Sequence, residues 1–161
     1  EKVLDIVRLW VKKYAGINHV KLSDAVHCHH NYAALEEHYG KEVWVHRKGA
    51  IRAGVGELGI IPGAMGTYSY LVKGKGNPES FQSCSHGAGR RMSRLDAREQ
   101  FSVQDTILDL RALGVFLAKA KRTDVGTESR FAYKAIDFVL SQELDLVEPV
   151  RRLKTVAVVK G

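Results

Sequence analysis

Hydrophobic positions at the start of the chain repeat at helical spacing. Val3, Ile6, Val7, Trp10, Val11 and Tyr14 share one face of a predicted helix over Lys2–Tyr14, which Ala15-Gly16 ends. From Val20 to His30 no helical period survives, and the stretch reads as extended. Alternation in a strand would then put His27 and His29 on one side and Cys28 and His30 on the other. Asn31–Tyr39 is predicted as a short helix, with Asn31 as its cap and Gly40 as its stop. Glu42–His46 is apolar and β-branched and reads as a buried strand. Gly54–Gly66 holds five of the chain's 15 glycines, set around Ile60, Ile61 and Pro62. That excludes a regular helix and predicts tight turns about a buried strand. Tyr68–Val72 alternates as a strand, Lys73–Pro78 is a turn, and Phe81–Ser85 is a short buried strand. Helices are predicted over Met92–Arg98, Asp105–Leu113 and Tyr133–Leu140, the last with Ala135, Phe138 and Val139 inward. A short strand over Val115–Ala118, a turn over Thr123–Glu128 and a Val-rich final strand over Glu148–Val159 complete the series.

This order lacks the regular βαβ alternation of a doubly wound sheet. The expected class is α+β, with mixed or antiparallel sheets and helices packed outside. A length of 161 residues suits one domain, and no internal repeat or low-complexity tract appears. No apolar run approaches a membrane span. The first residue is Glu1, followed by a charged, amphipathic stretch, so the chain reads as a piece of a longer one with no signal peptide. Two cysteines, Cys28 and Cys84, do not make a disulfide framework and fit a reducing, cytoplasmic compartment. The net charge of +7 favours a polyanionic partner, although many ordinary enzymes are basic too.

The chemistry concentrates in Ser83-Cys84-Ser85-His86-Gly87-Ala88-Gly89-Arg90-Arg91-Met92-Ser93-Arg94. One histidine stands before a turn of small residues, and a run of Arg and Ser enters a helix. Small residues let a backbone come close to a ligand. Free N–H groups followed by Arg suit a phosphate, and neutral imidazole is a nucleophile toward phosphorus. A capped helix with a satisfied histidine in front of it explains the same letters. The cluster at His27, Cys28, His29 and His30 suggests metal, but its spacing is not that of a structural zinc site. Arg47-Lys48-Gly49 sets two cations at a strand end, where they meet either phosphate or solvent.

Cys84-Ser85-His86-Gly87-Ala88-Gly89-Arg90 with Met92-Ser93-Arg94 closely resembles the signature of RtcB-type RNA-splicing ligases. His30-Asn31-Tyr32-Ala33, Val43–Ala50, Ile60–Ser69 and Val158-Val159-Lys160-Gly161 match the same family independently and in its order. The resemblance implies that His86 becomes guanylylated and that His30 binds manganese. It implies nucleotide contacts at Asn31, at Pro62, Gly63, Ala64 and Met65, at Ser69, at Gly87, Ala88 and Gly89, and at Lys160. Relatives commonly carry Ser where this chain has Ala64, so any contact there belongs to the backbone. Tyr133 lies against the nucleotide by the same comparison, and Arg90 and Lys48 hold phosphates. Glu79 is a candidate purine contact, since a carboxylate accepts two N–H groups from guanine.

The implied activity is a GTP- and manganese-dependent joining of RNA ends. One RNA carries a 3′-phosphate or 2′,3′-cyclic phosphate and the other a 5′-hydroxyl, and a helper protein is a possible further partner. The family's remaining metal ligands belong to its N-terminal half. Residues 1–161 are thus expected to be the C-terminal portion of such a ligase and inactive alone. A non-catalytic RNA-binding module that kept the fold is the other reading.

Overall fold

The computed structural model describes residues 26–119 and 124–160, together with Asp5, Ile6, Arg8, Leu9, Lys12, Lys13 and Gly16. Most of the predicted first helix and of the extended segment from Val20 lies outside the described residues. The helical residues that are described include Ile6, which is exposed rather than core-facing.

The largest departure from expectation comes next. Asn31–Tyr39 is no helix: Asn31–His38 forms strand β1, antiparallel to β2, Lys41–Lys48, in unbroken register from Asn31↔Lys48 to His38↔Lys41. Tyr39 and Gly40 make the two-residue turn, both with positive φ (54° and 70°). Positive φ at both central residues is the hairpin turn whose twist matches that of the strands. Cross-strand pairing therefore outweighs the helix preference of the Ala-Ala-Leu-Glu-Glu run within β1. β2 is buried on one face only, with Trp44 exposed on the other.

Three further small sheets follow. β3 (Ala50–Arg52) pairs antiparallel with β6 (Ser83–Ser85). β4 (Leu58–Ile61), β5 (Ser69–Gly74) and β8 (Val147–Leu153) form an antiparallel sheet with β5 central. β7 (Phe116–Lys119) and β9 (Ala157–Lys160) run parallel. The predicted single final strand is thus two strands that join different sheets, broken near Lys154–Val156. Beside the helical residues near the start and three short 3₁₀ helices, the described fold has α1 (Arg94–Gln100), α2 (Val103–Ala112) and α3 (Ile136–Ser141). Ser93 starts α1 with a capping box to Asp96, and Ser102 caps α2 through the Asp105 amide. In α3 the inward residues are Ile136 and Leu140, whereas Phe138 is exposed. Ile136 and Leu140, four residues apart, share the buried stripe, one position round from the predicted one. The class is α+β, as the sequence predicts.

One apolar cluster unites β3, β4, β5, β6, α3 and β8 through Ile51, Ile61, Val72, Cys84, Ile136, Leu140 and Val147, and it includes Ala88. A second joins Met65 to Leu110, Val115 and Val125. The segment 62–67 and the segment after β6 lie where these two cores meet. Among the described residues, no helix is long and apolar enough to cross a membrane.

Candidate functional site

β6 carries the chain directly to His86. Cys84 is buried in the main core, and burial pushes its thiol up to about 12, so it packs rather than reacts. The neighbouring Ser85 is pinned by Glu143, which accepts from both its amide (3.1 Å) and its hydroxyl (3.0 Å). These anchors fix the backbone on which the histidine stands.

The His86 ring is held by main chain. Its Nδ1 lies 2.8 Å from the carbonyl oxygen of Gly49, the residue between β2 and β3. A carbonyl only accepts, so Nδ1 carries a proton, and in the neutral ring the lone pair is on Nε2. The Gly49 amide donates to the His30 carbonyl (3.0 Å). The His30 and His86 rings stack with centroids 5.1 Å apart and planes 19° apart. Gly49 takes φ 75°, a left-handed conformation that suits glycine, and a Cβ there would sit 3.6 Å from the His86 ring. Asn31 and Lys48 face each other on the next rung of the hairpin, both exposed. Residues separated by 56 positions in the sequence, His30 and His86, thus meet at one crossing of strands.

Beyond His86 the chain is zipped on both sides. The Ala88 amide donates to the Pro62 carbonyl (3.1 Å), and a Cβ on Gly87 would lie 3.1 Å from the same oxygen. On the other side, the Lys134 amide donates to Gly89 (3.0 Å) and the Arg91 amide to Ala132 (3.0 Å). The segment therefore ties Pro62–Thr67 to Ala132–Lys134. Between those stretches opens a hollow of about 350 Å³, lined by Gly63, Ala64, Met65, Glu128, Tyr133 and, from β9, Val158. That volume lies in the range of small-molecule sites, roughly 300–1,000 Å³.

Each predicted residue can now be placed. Gly63 packs so closely that a Cβ would fall 2.1 Å from the Tyr68 carbonyl, and its amide donates to Ser69 Oγ (3.3 Å). Ser69 thus shapes the 62–67 turn. Ala64 and Met65 are buried at the edge of the hollow, which suits backbone contact. Gly89 has open space where a Cβ would project, at φ 67°. Lys160 completes β9, whose Val158 and Val159 line the hollow; its side chain lies outside the described residues. Glu79 sits on a one-turn 3₁₀ helix, Pro78–Ser80, and is not among the residues that line the hollow.

Two arginines take roles other than those expected. Arg90 does not point its donors at open space. It donates to Met92 O (3.1 Å), Thr127 O (2.8 Å) and Tyr133 Oη (3.1 Å), while Tyr133 donates to Glu128 (2.8 Å). Burial, then Glu128, raises the Tyr133 hydroxyl above its usual range and keeps it a donor. Arg47 is buried, with its donors on Glu36, Tyr32 Oη, Ser83 Oγ and Phe81 O. It ties the hairpin to the strand before His86, which leaves Lys48 as the exposed cation of the pair. Nothing in the letters Arg47-Lys48 separates these roles; strand alternation does. The Gly49 carbonyl, Glu128 and Glu143 carry no sequence signal of their own and emerge only from the fold.

Metal ligation has a narrow basis. Among the described residues, no group of three or more His, Cys, Asp or Glu side chains is arranged to hold an ion. His30 is at most one donor of a larger set, and His27 and His29 pack against each other with centroids 4.5 Å apart. The described residues alone do not fit a manganese centre.

Comparison with known proteins agrees with the motif. The sequence profile of the family described as "tRNA-splicing ligase RtcB" matches residues 1–161. RNA-splicing ligase RtcB of Escherichia coli (strain K12) is 49% identical, over 86% of this chain and 33% of its own length. The tRNA-splicing ligase RtcB of Nanoarchaeum equitans is 37% identical, over 97% of this chain and 38% of its own length. RNA-splicing ligase RtcB of Mycobacterium bovis is 37% identical, over 82% of this chain and 35% of its own length. This chain spans about a third of the length of the curated relatives it matches. With the profile matched from end to end, the chain belongs to the RtcB family of tRNA-splicing ligases.

Proposed function

We propose that this chain is the C-terminal, nucleotide-handling portion of a GTP- and manganese-dependent RNA ligase. The ligase joins RNA ending in a 3′-phosphate or 2′,3′-cyclic phosphate to RNA beginning with a 5′-hydroxyl. The observation that carries the reading is the His86 ring, oriented by the Gly49 carbonyl and followed by a segment whose backbone is tied to Pro62 and Ala132, the stretches that flank a nucleotide-sized hollow. His86 Nε2 attacks the α-phosphorus of GTP, a P–N bond forms and pyrophosphate leaves. His86 then hands the guanylate to the RNA 3′-phosphate. The 5′-hydroxyl attacks that activated phosphorus, closing the phosphodiester and releasing GMP. The P–N bond is labile enough to pass its group on.

The remaining residues bind and orient. Gly63, Ala64 and Met65 offer backbone to the nucleotide, Ser69 keeps that turn in shape, and Gly87, Ala88 and Gly89 let the phosphates approach. Asn31 and Lys48 flank the crossing, and Lys160, at the end of β9, is a further nucleotide contact. Manganese, when bound, supplies charge neutralisation at the phosphates. His30 would be one of its donors, and the others would have to come from outside the described residues.

The test uses the full-length protein. Incubation with GTP and manganese should add one GMP mass to a peptide that contains His86. His86→Ala should abolish both that adduct and ligation while RNA binding survives. Guanylate on a lysine, or ligation by His86→Ala at the unsubstituted rate, overturns the proposal. Residues 1–161 alone should stay unmodified by intact mass under the same conditions.

A further inference from the structure

The β1–β2 hairpin has two unlike faces. Tyr32, Glu36, His38 and Arg47 point inward and are satisfied there. The outward face carries four rungs, set by the register: Asn31 with Lys48, Ala33 with His46, Leu35 with Trp44, and Glu37 with Glu42. All eight residues are exposed. Trp44 is 67% exposed and Leu35 50% exposed, side by side on a sheet whose other face is packed. The two side chains make an adjoining apolar pair on an otherwise mostly polar face.

We infer that this face is the track along which the single-stranded RNA bearing the reacting phosphate lies, with Trp44 as a base-stacking platform. The inference rests on the ligase reading above and deepens it. Three observations converge. First, the track is continuous with the site: the Asn31/Lys48 rung adjoins the crossing of His30, Gly49 and His86. Second, the chemistry is ordered along it: a cation and an amide, then an imidazole, then an indole. Backbone-tracking charge followed by aromatic faces is how proteins hold single strands without reading their sequence. Third, the track has an end. Glu37 and Glu42 sit opposite each other on the last rung, where two carboxylates repel phosphate. Trp44 is four residues from Lys48, about 14 Å at the ~3.4 Å rise of an antiparallel strand. That is the length of about four stacked nucleotides at ~3.4 Å each, fewer if the strand is extended.

The experiment measures binding of fluorescein-labelled 3′-phosphate oligoribonucleotides of one to eight nucleotides to the full-length protein by anisotropy. Affinity of the unsubstituted protein should climb with length and level off near four nucleotides. Trp44→Ala should weaken the longer RNAs about 5- to 100-fold and flatten the climb, while Trp44→Phe retains most of it. Glu42→Gln should tighten RNAs long enough to reach the last rung and leave the shortest unchanged. Trp44→Leu separates stacking from polypeptide cover. On an RNA track it behaves like Trp44→Ala, whereas on a face covered by protein it restores both melting temperature and RNA binding, which overturns the inference. Length dependence unchanged in a Trp44→Ala protein of normal melting temperature overturns it equally. Those failures leave the His86 adduct intact; an unsubstituted protein that neither binds RNA nor forms the adduct brings down the ligase reading as well.

Discussion

Two arginine–tyrosine–glutamate triads bracket the candidate site, and they are built alike. Arg47 donates to Tyr32 and Glu36, with its guanidinium 5.6 Å from the Tyr32 ring centroid. Arg90 donates to Tyr133 and lies 3.7 Å from Glu128, with its guanidinium 4.8 Å from the Tyr133 ring centroid. The surroundings differ. Arg47 and Glu36 side chains are 1% and 7% exposed, and the remaining Arg47 donors close on Ser83 and Phe81. The Arg90 and Glu128 side chains are 20% and 14% exposed, and Glu128 and Tyr133 line the hollow. The first triad is a rivet between the hairpin and the strand before His86. The second is a wall that a nucleotide would touch. The same three side chains thus serve the fold in one place and, on the proposed reading, a binding surface in the other, according to whether solvent reaches them.

Breaking the rivet has the largest expected effect. Glu36→Gln leaves a buried guanidinium without its counter-charge and should cost about 3–5 kcal/mol. Arg47→Lys should not rescue the site, because an ammonium cannot replace the planar fork. Urea denaturation of each variant reads the loss directly, and a fall under 1 kcal/mol in Glu36→Gln would show that the pair is not buried in solution.

The pH profile sharpens the same point. The hydrogen bond from Arg47 outweighs burial and holds the Glu36 carboxyl down at about 2, against 4.5 unperturbed. A carboxyl lowered by folding lends stability that is complete above its unfolded value and fades as pH falls toward the folded one. Urea midpoints of the unsubstituted protein should therefore drop between pH 4.5 and about 2, and the drop should be shallower in Glu36→Gln.

The wall should respond more weakly in stability and more strongly in ligand. Tyr133→Phe removes one hydroxyl from a partly solvated network, a loss of about 1 kcal/mol. GTP affinity, followed by fluorescent-nucleotide displacement, should fall further than the melting temperature predicts. If both readouts fall in proportion, the second triad is a rivet too, and the contrast dissolves.

Much of this was legible in the letters. The motif around His86 announced its turn, and the glycines of 54–66 announced theirs. Short apolar runs such as Leu58–Ile61 and Phe116–Lys119 came out as strands close to where their pattern put them. The hairpin was not legible, because Asn31–Tyr39 has the composition of a helix and only pairing with Lys41–Lys48 decides otherwise. The split of the last strand hid for a related reason: Val-rich letters say extended, not which sheet. Among the predicted site residues, those in two compact motifs, around His86 and over Pro62–Met65, lie on neighbouring segments. Arg47 was misread as a surface cation, since its face depends on register. Glu128 and Glu143 stand in stretches with no motif, and only the fold brings them to the site.

The Gly49 carbonyl has one more consequence. Where a carboxylate side chain steers a histidine, an amino-acid substitution can remove the acceptor and leave the ring in place. Here the acceptor is a peptide oxygen, and every residue at that position would still carry one. No replacement deletes it. Removing this acceptor by genetics would require shifting the strand junction itself.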